Sequence, residues 1–199
     1  YSLFIFYIHP MERHPLEPFL PENARILMLG SFPPPIKRWS IPFFYPNMQN
    51  DMWRIYGLIF FNDKDHFVEV KEKRFNQPLL EAFLREKGVA IYDTACAVNR
   101  LQGNASDKFL EVVEATDVDA LLRKIPHCHA IVTTGQKATD TLRTHFLVPE
   151  PKVGECVSFD FEGRPMRLYR MPSSSRAYPL NIHKKTEAYR HMLQAEGLL

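Results

Sequence analysis

Residues 24–30 read ARILMLG, a nearly continuous apolar run closed by Gly30. A strand buried on both faces has this character, because neighbours cover both sides and no polar alternation survives. Val89–Asp93 (VAIYD) and Ala130–Thr134 (AIVTT) read the same way, and 168–171 (LYRM) is a fourth candidate strand. Helical spacing lies between them. Met52, Ile55, Tyr56 and Ile59 share one face of a helix predicted over 52–60, with Asp51 as its cap. Leu79, Leu80, Phe83 and Leu84 do the same over 78–87, a helix stopped by Gly88. Further helices are predicted over 117–124, 136–146 and 184–195. Strand and helix in alternation predict an α/β domain whose central sheet is mostly parallel and four-stranded. Segments 155–161 and 165–170, separated by Glu162-Gly163-Arg164, also allow a hairpin at one sheet edge.

Composition bounds the rest. The 199 residues are 45% hydrophobic and 24% charged, which excludes a disordered or fibrous chain. This length suits one large core, so 11–199 reads as a single domain. Residues 1–10 (YSLFIFYIHP) lack a basic start and a small-residue cleavage site, and read as an N-terminal extension or a remnant of upstream sequence. Apolar runs fall well short of the roughly 18 residues a membrane helix needs. Cys96, Cys128 and Cys156 form no CxxC pair, and an odd number argues against a disulfide framework. They read as reduced, mostly buried thiols of a cytoplasmic protein, with a monomer as the default. His127-Cys128-His129 reads as structural, because three adjacent residues do not readily converge on one metal ion.

Net charge is only +2, but it is unevenly spread. Residues 163–191 carry Arg164, Arg167, Arg170, Arg176, Lys184, Lys185 and Arg190 against Glu187 alone. Residues 104–122 are acidic. Such a chain can show a basic face to a polyanion; the other reading is a solvated helix with ordinary surface charge.

In an open α/β sheet ligands bind beyond the carboxyl ends of the strands. After the first strand comes Gly30-Ser31-Phe32-Pro33-Pro34-Pro35, stiffened by its prolines. Then Phe43, Phe44, Tyr45, Pro46, Asn47 and Asn50 lead into the first helix and Trp53. Aromatic faces beside amides suit a planar base, and they equally suit a packed loop with helix caps. After the fourth strand, Pro172-Ser173-Ser174-Ser175-Arg176 offers N–H groups, hydroxyls and a guanidinium to a phosphate.

These loops, in this order, resemble the uracil-DNA glycosylase superfamily. That family carries Gly-x-x-Pro after its first strand, an aromatic-Pro-x-x-Asn-x-x-Trp stretch, and a Pro-Ser loop after its last strand. Ile91-Tyr92-Asp93, Arg100, Ser106-Asp107 and the segment from Pro172 to Ala177 are similar to the hypoxanthine-DNA glycosylase type. The resemblance spans roughly residues 25 to 195. It implies a single three-layer domain, with the sheet flanked by helices, and monofunctional hydrolysis of the N-glycosidic bond of a flipped deaminated or mismatched base, uracil or hypoxanthine. The implied partner is double- or single-stranded DNA holding a damaged base, with no cofactor, metal or membrane. It places Gly30, Ser31 and Phe32 against the base, with Phe44 or Tyr45 stacking on it. Asn50 is then the leading polar catalytic residue, with Asn47 as substitute. Asp93, at a strand end, is a candidate to activate water. Ser173, Ser174 and Ser175 clamp phosphates, and Arg176 enters the minor groove or fills the vacated space.

Phe32 stands where better-known branches have Asp or Asn. That departure keeps open a non-catalytic damaged-DNA-binding protein of the same fold. An enzyme on an unrelated α/β fold acting on a phosphorylated small molecule is the third reading.

Overall fold

The computed structural model describes residues 10–102 and 106–199, so the extension expected over 1–10 lies, except for Pro10, outside the described residues. The chain forms β1 (Met11–Arg13), β2 (Ile26–Gly30), α1 (Met52–Phe61), β3 (Val68–Glu69), β4 (Arg74–Phe75), α2 (Gln77–Lys87), β5 (Val89–Asp93) and β6 (Ala95–Arg100). It continues with β7 (Leu110–Ala115), α3 (Val118–Lys124), β8 (Ala130–Thr134), α4 (Gln136–His145), β9 (Cys156–Phe161), β10 (Arg164–Met171) and α5 (Ile182–Ala195).

The central sheet has the order β5-β2-β8-β10-β9. Its first four strands are parallel, and β9 is antiparallel to β10. Every residue of β2, β5 and β8 is buried. Successive side chains point to opposite faces, so this sheet is covered on both. The register sets Gly30 opposite Asp93 and Thr134 opposite Met171. All four parallel strands therefore end along one edge, and their loops emerge side by side.

Two expectations need correction. The sheet has five strands rather than four, because Glu162 (φ 53) and Gly163 (φ 81) fold β9 back onto β10 in a two-residue turn. Positive φ at both central positions matches the right-handed twist of a hairpin. Second, an antiparallel sheet β1-β6-β7 stands beside the main one. Its acidic edge strand β7 lies in the acidic segment 104–122: Glu114 pairs with Arg13 on β1 at 3.0 Å, and Glu111 accepts from Asn99 at 2.8 Å. Phe32, Ala95, Val98 and Leu110 form a small core of their own beneath it.

The helices begin and end where their caps allow. Asn76 Oδ1 accepts from the Leu79 N–H at 3.1 Å to start α2, and Gly88 ends it at φ 73. Asn181 starts α5 by accepting from the Lys184 N–H at 2.9 Å. At α1 the expected cap is displaced by one residue. Asp51 makes no capping bond with its side chain; Asn50 Oδ1 accepts from the Met52 N–H at 3.0 Å instead. Of the three cysteines, all free, Cys128 alone is buried, and burial pushes its thiol up to about 12; Cys96 is half-buried and Cys156 exposed.

The C-terminus is held by Arg25, which donates to the Glu196 and Gly197 carbonyls at 2.9 Å, and by the Glu196 carboxylate. Glu196 accepts from Arg167 at 2.6 and 2.8 Å and from the Tyr169 hydroxyl at 2.7 Å. Burial alone would raise the Glu196 carboxyl, but these donors outweigh it and hold it below its ordinary value. The stabilisation is therefore present above the unfolded carboxylate pKa of about 4.3 and is lost as pH falls through the lower folded value. Arg167 is half-exposed, so screening trims the pair. Glu196→Ala should cost about 2 kcal/mol in urea unfolding at pH 7, and less than half of that at pH 3.

Candidate active site

A cleft of about 780 Å³ opens where β2, β5, β8 and β10 end. Gly30, Ser31 and Phe32 line it from the first loop, and Phe44, Tyr45, Asn47 and Asn50 from the aromatic segment. Asp93 lines it from the end of β5, and Ser173, Ser174, Ser175 and Arg176 from the last loop. All twelve residues singled out in the sequence thus face one space.

Asp93 lies at its floor. A Cβ built on Gly30 would fall 2.5 Å from Asp93 Oδ1 and 3.4 Å from the Tyr45 hydroxyl, so only glycine lets the carboxylate lie against this backbone. The other oxygen, Oδ2, is 2.7 Å from His14 Nε2. His14 Nδ1 accepts from the Leu16 N–H at 3.1 Å. A backbone N–H can only donate, so Nδ1 is unprotonated and Nε2 carries the proton that goes to Asp93. A neutral imidazole therefore fixes the carboxylate and leaves Oδ1 toward Gly30. The ring is stacked on Tyr92 with centroids 4.5 Å apart and meets Phe32 edge-on at 5.4 Å.

His14 was not found from sequence. It follows β1, whose pairing with β6 continues through the His14 N–H to the Cys96 carbonyl at 2.8 Å. A lone His before a proline in a polar segment gives no local signal.

Asp107 is the second carboxylate of the cleft, and it accepts from the Ser31 hydroxyl at 2.6 Å. Burial raises its pKa; the Ser31 bond opposes this, and the Asp93 charge adds to it. The site thus holds one carboxylate fixed by an imidazole N–H and a second that burial biases toward its protonated form.

The two asparagines have a defined sense. Asn50 Oδ1 takes the Met52 N–H and Asn47 Oδ1 takes the Gln49 N–H at 2.9 Å. Each amide oxygen is spent on its own loop, and each NH₂ remains as a donor. The Ser31 and Phe32 N–H groups make no hydrogen bond among the described residues. These N–H groups supply donors to this part of the wall.

The aromatic segment is held firmly. Tyr45 sits at φ 48, a left-handed conformation uncommon for a bulky residue, with its hydroxyl bonded to Thr134 Oγ1 at 2.8 Å. The Trp53 indole N–H donates to the Phe44 carbonyl at 3.0 Å. Phe44 packs edge-on against Phe43 and Tyr92. In the last loop the Ser173 and Ser175 hydroxyl oxygens accept from the Ser175 and Ala177 N–H groups, both at 3.2 Å, and keep their protons to donate. Ser174 is buried, and its carbonyl accepts from the Asp51 N–H at 2.9 Å, which ties this loop to the start of α1.

The basic C-terminal run does not form a face. Arg164 caps carbonyls of Leu122, Ile125 and Cys128, Arg167 is paired with Glu196, and Arg170 with Glu150. Of the seven cations in the run, Arg176 alone lines the main cleft, where it is joined by Arg38 and Lys137 from other segments. The rim is cationic and the floor anionic.

The same architecture occurs in a solved structure. The chain aligns with the solution NMR structure of a putative uracil DNA glycosylase from Methanosarcina acetivorans at a TM-score of 0.58, with 22% sequence identity, over 93% of this chain and 99% of that one. That likeness is one of fold. No protein-family profile matches the chain, and no curated protein sequence does.

Proposed function

We propose that the protein is a monofunctional DNA glycosylase of the uracil-DNA glycosylase superfamily, hydrolysing the N-glycosidic bond of a flipped deaminated or mismatched base, uracil or hypoxanthine, in DNA repair. The observation that carries this reading is the fixed Asp93 carboxylate on the floor of a cleft whose walls are aromatic and rich in N–H donors. A flipped base needs a flat apolar slot, hydrogen-bond donors for its carbonyl edge, and a negative charge near the sugar.

In this reading the base lies between Phe32 and Phe44, with Phe44 as the stacking face. Asn50 donates its NH₂ to a carbonyl of the base, with Asn47 and the Ser31 and Phe32 N–H groups alongside. Asp93 accepts a proton from water as the water oxygen bonds to C1′. The C1′–N bond breaks with its electron pair on the base, and Asp107 donates a proton to that leaving group. The products are the free base and an abasic sugar bearing a hydroxyl. Arg38, Lys137 and the serine hydroxyls meet the phosphates.

Asp107 gives the reading a pH signature. A carboxyl raised by burial stays protonated to higher pH, and its proton is lost as pH rises through that raised value. Excision should therefore fall on the alkaline side. Asp107→Asn should remove that limb and lower the rate at its optimum about tenfold, because an amide still donates a hydrogen bond but transfers no proton. The measurement is single-turnover excision against pH.

The reading itself is tested with end-labelled duplexes containing uracil, hypoxanthine or mismatched thymine, followed by alkali. Strand breaks at the marked base support it. Tight binding without breaks would instead favour a damaged-DNA-binding protein, the role suggested by Phe32 in place of Asp or Asn.

A further inference from the structure

A second cavity of about 360 Å³ lies next to the main cleft, lined by residues from the start of α1, the loop after it, and the start of α5. Arg176 lines both spaces and so forms the wall between them. Three cations in the smaller one gather around a single carboxylate. Arg54 Nη1 and Arg176 Nε both approach Asp51 Oδ1 at 3.1 Å, and Lys185 lines the same space. Lys64, on the exposed rim, makes no ion pair among the described residues. Four positive charges thus line a space whose lining carboxylate is Asp51, with Asp65 nearby also acting on Arg54.

This imbalance lies in partly desolvated surroundings. Arg54 and Lys185 are buried, at 9% and 2% exposure. Burial and the nearby Arg176 hold both below their ordinary pKa values, while Asp51 opposes the shift. Lys185 Nζ donates to the Ser175 carbonyl at 2.7 Å, which accounts for one of its three protons. The first turn of the 14-residue helix α5 borders the cavity at Ile182, and its leading N–H groups add partial positive charge. Arg54 also donates to the Met48 and Asn50 carbonyls at 2.9 and 3.3 Å, and Lys185 lies over the Tyr178 ring, but none of these contacts supplies a negative charge. The excess of buried positive charge is stabilised by an anion placed among these groups.

We infer that this cavity is a phosphate-binding site, separate from the base-binding cleft and joined to it through Arg176. The phosphate comes either from a DNA backbone, one step along the strand from the nucleotide in the cleft, or from a free phosphorylated molecule. Arg176 then serves as a phosphate ligand held by Asp51, not as a wedge in the duplex. The site itself is independent of the glycosylase reading; its DNA source is not.

The test uses the full chain, ¹⁵N-labelled, with inorganic phosphate as the probe at constant ionic strength. Phosphate should move the Ile182, His183 and Lys64 amide signals saturably. Lys64→Glu, at an exposed position, should weaken that binding about tenfold. Lys124→Glu makes the same change in net charge at the end of α3 and should leave it unchanged. Duplex binding against salt then identifies the source. Loss of one phosphate contact lowers the slope of log K on log[salt] by about 0.9 in Lys64→Glu but not in Lys124→Glu. Phosphate binding with an unaltered slope keeps the site and assigns it to a free phosphorylated molecule. Phosphate binding without base excision on any duplex keeps the site and removes the glycosylase reading. Amide signals indifferent to tens of millimolar phosphate, or equally responsive in Lys64→Glu, overturn the inference.

Discussion

Asp93→Asn is expected to lower single-turnover base excision about 10³-fold while leaving duplex affinity unchanged. The exchange is nearly isosteric, and the asparagine carbonyl can still accept the His14 Nε2–H that now reaches Oδ2 at 2.7 Å. The floor keeps its shape and loses its charge and its capacity to take a proton. On the proposed reading His14 acts through Asp93 rather than on the substrate, as a positioning residue. His14→Phe removes the donor and should give a smaller loss, confined to turnover, that largely disappears in the Asp93→Asn background. A rate for Asp93→Asn within tenfold of the wild type would place water activation on another residue.

Asn50→Asp should reduce excision by about 10²–10³-fold with little change in thermal stability. A carboxylate oxygen still accepts from the Met52 N–H, so the start of α1 stays capped. What changes is the other end of the group. The NH₂ becomes an oxygen, and what is, on the proposed reading, a donor to the departing base becomes a negative charge opposing it. Asn50→Ala cannot make this distinction, because it removes the cap together with the donor. If Asn50 only starts the helix, Asn50→Asp will excise at the wild-type rate. The single substitution therefore separates a base-binding role from a capping role, which the sequence pattern alone leaves equivalent.

These residues became legible at different levels. Three parallel strands could be read from 24–30, Val89–Asp93 and Ala130–Thr134, because burial on both faces leaves an apolar run that local sequence records directly, and the fourth, 168–171, from the buried Leu168, Tyr169 and Met171 around Arg170. Five helices could be read because their caps and apolar stripes are local too. The cleft followed from these elements, since strand ends carry the loops and a parallel sheet gathers its ends on one edge. The β1-β6-β7 sheet could not be read in this way. Its outer strands β1 and β7 are short, largely exposed and charged, and their pairing is set by long-range partners such as Arg13 and Glu114, which are 101 positions apart.

Tertiary structure alone decided three matters, each for the same reason: a long-range contact sets what a side chain can do. It brought His14 to Asp93 across 79 positions and so fixed that carboxylate. It consumed most of the basic C-terminal run in internal pairs, which turned an apparent basic face into scaffold. It gathered Arg54, Lys64, Arg176 and Lys185 around Asp51, where no run of sequence shows a cluster. Local sequence determined which segments are buried and where they turn. The partners of each charge were determined by packing, because a charge acts on what is near it in space, whatever the distance along the chain.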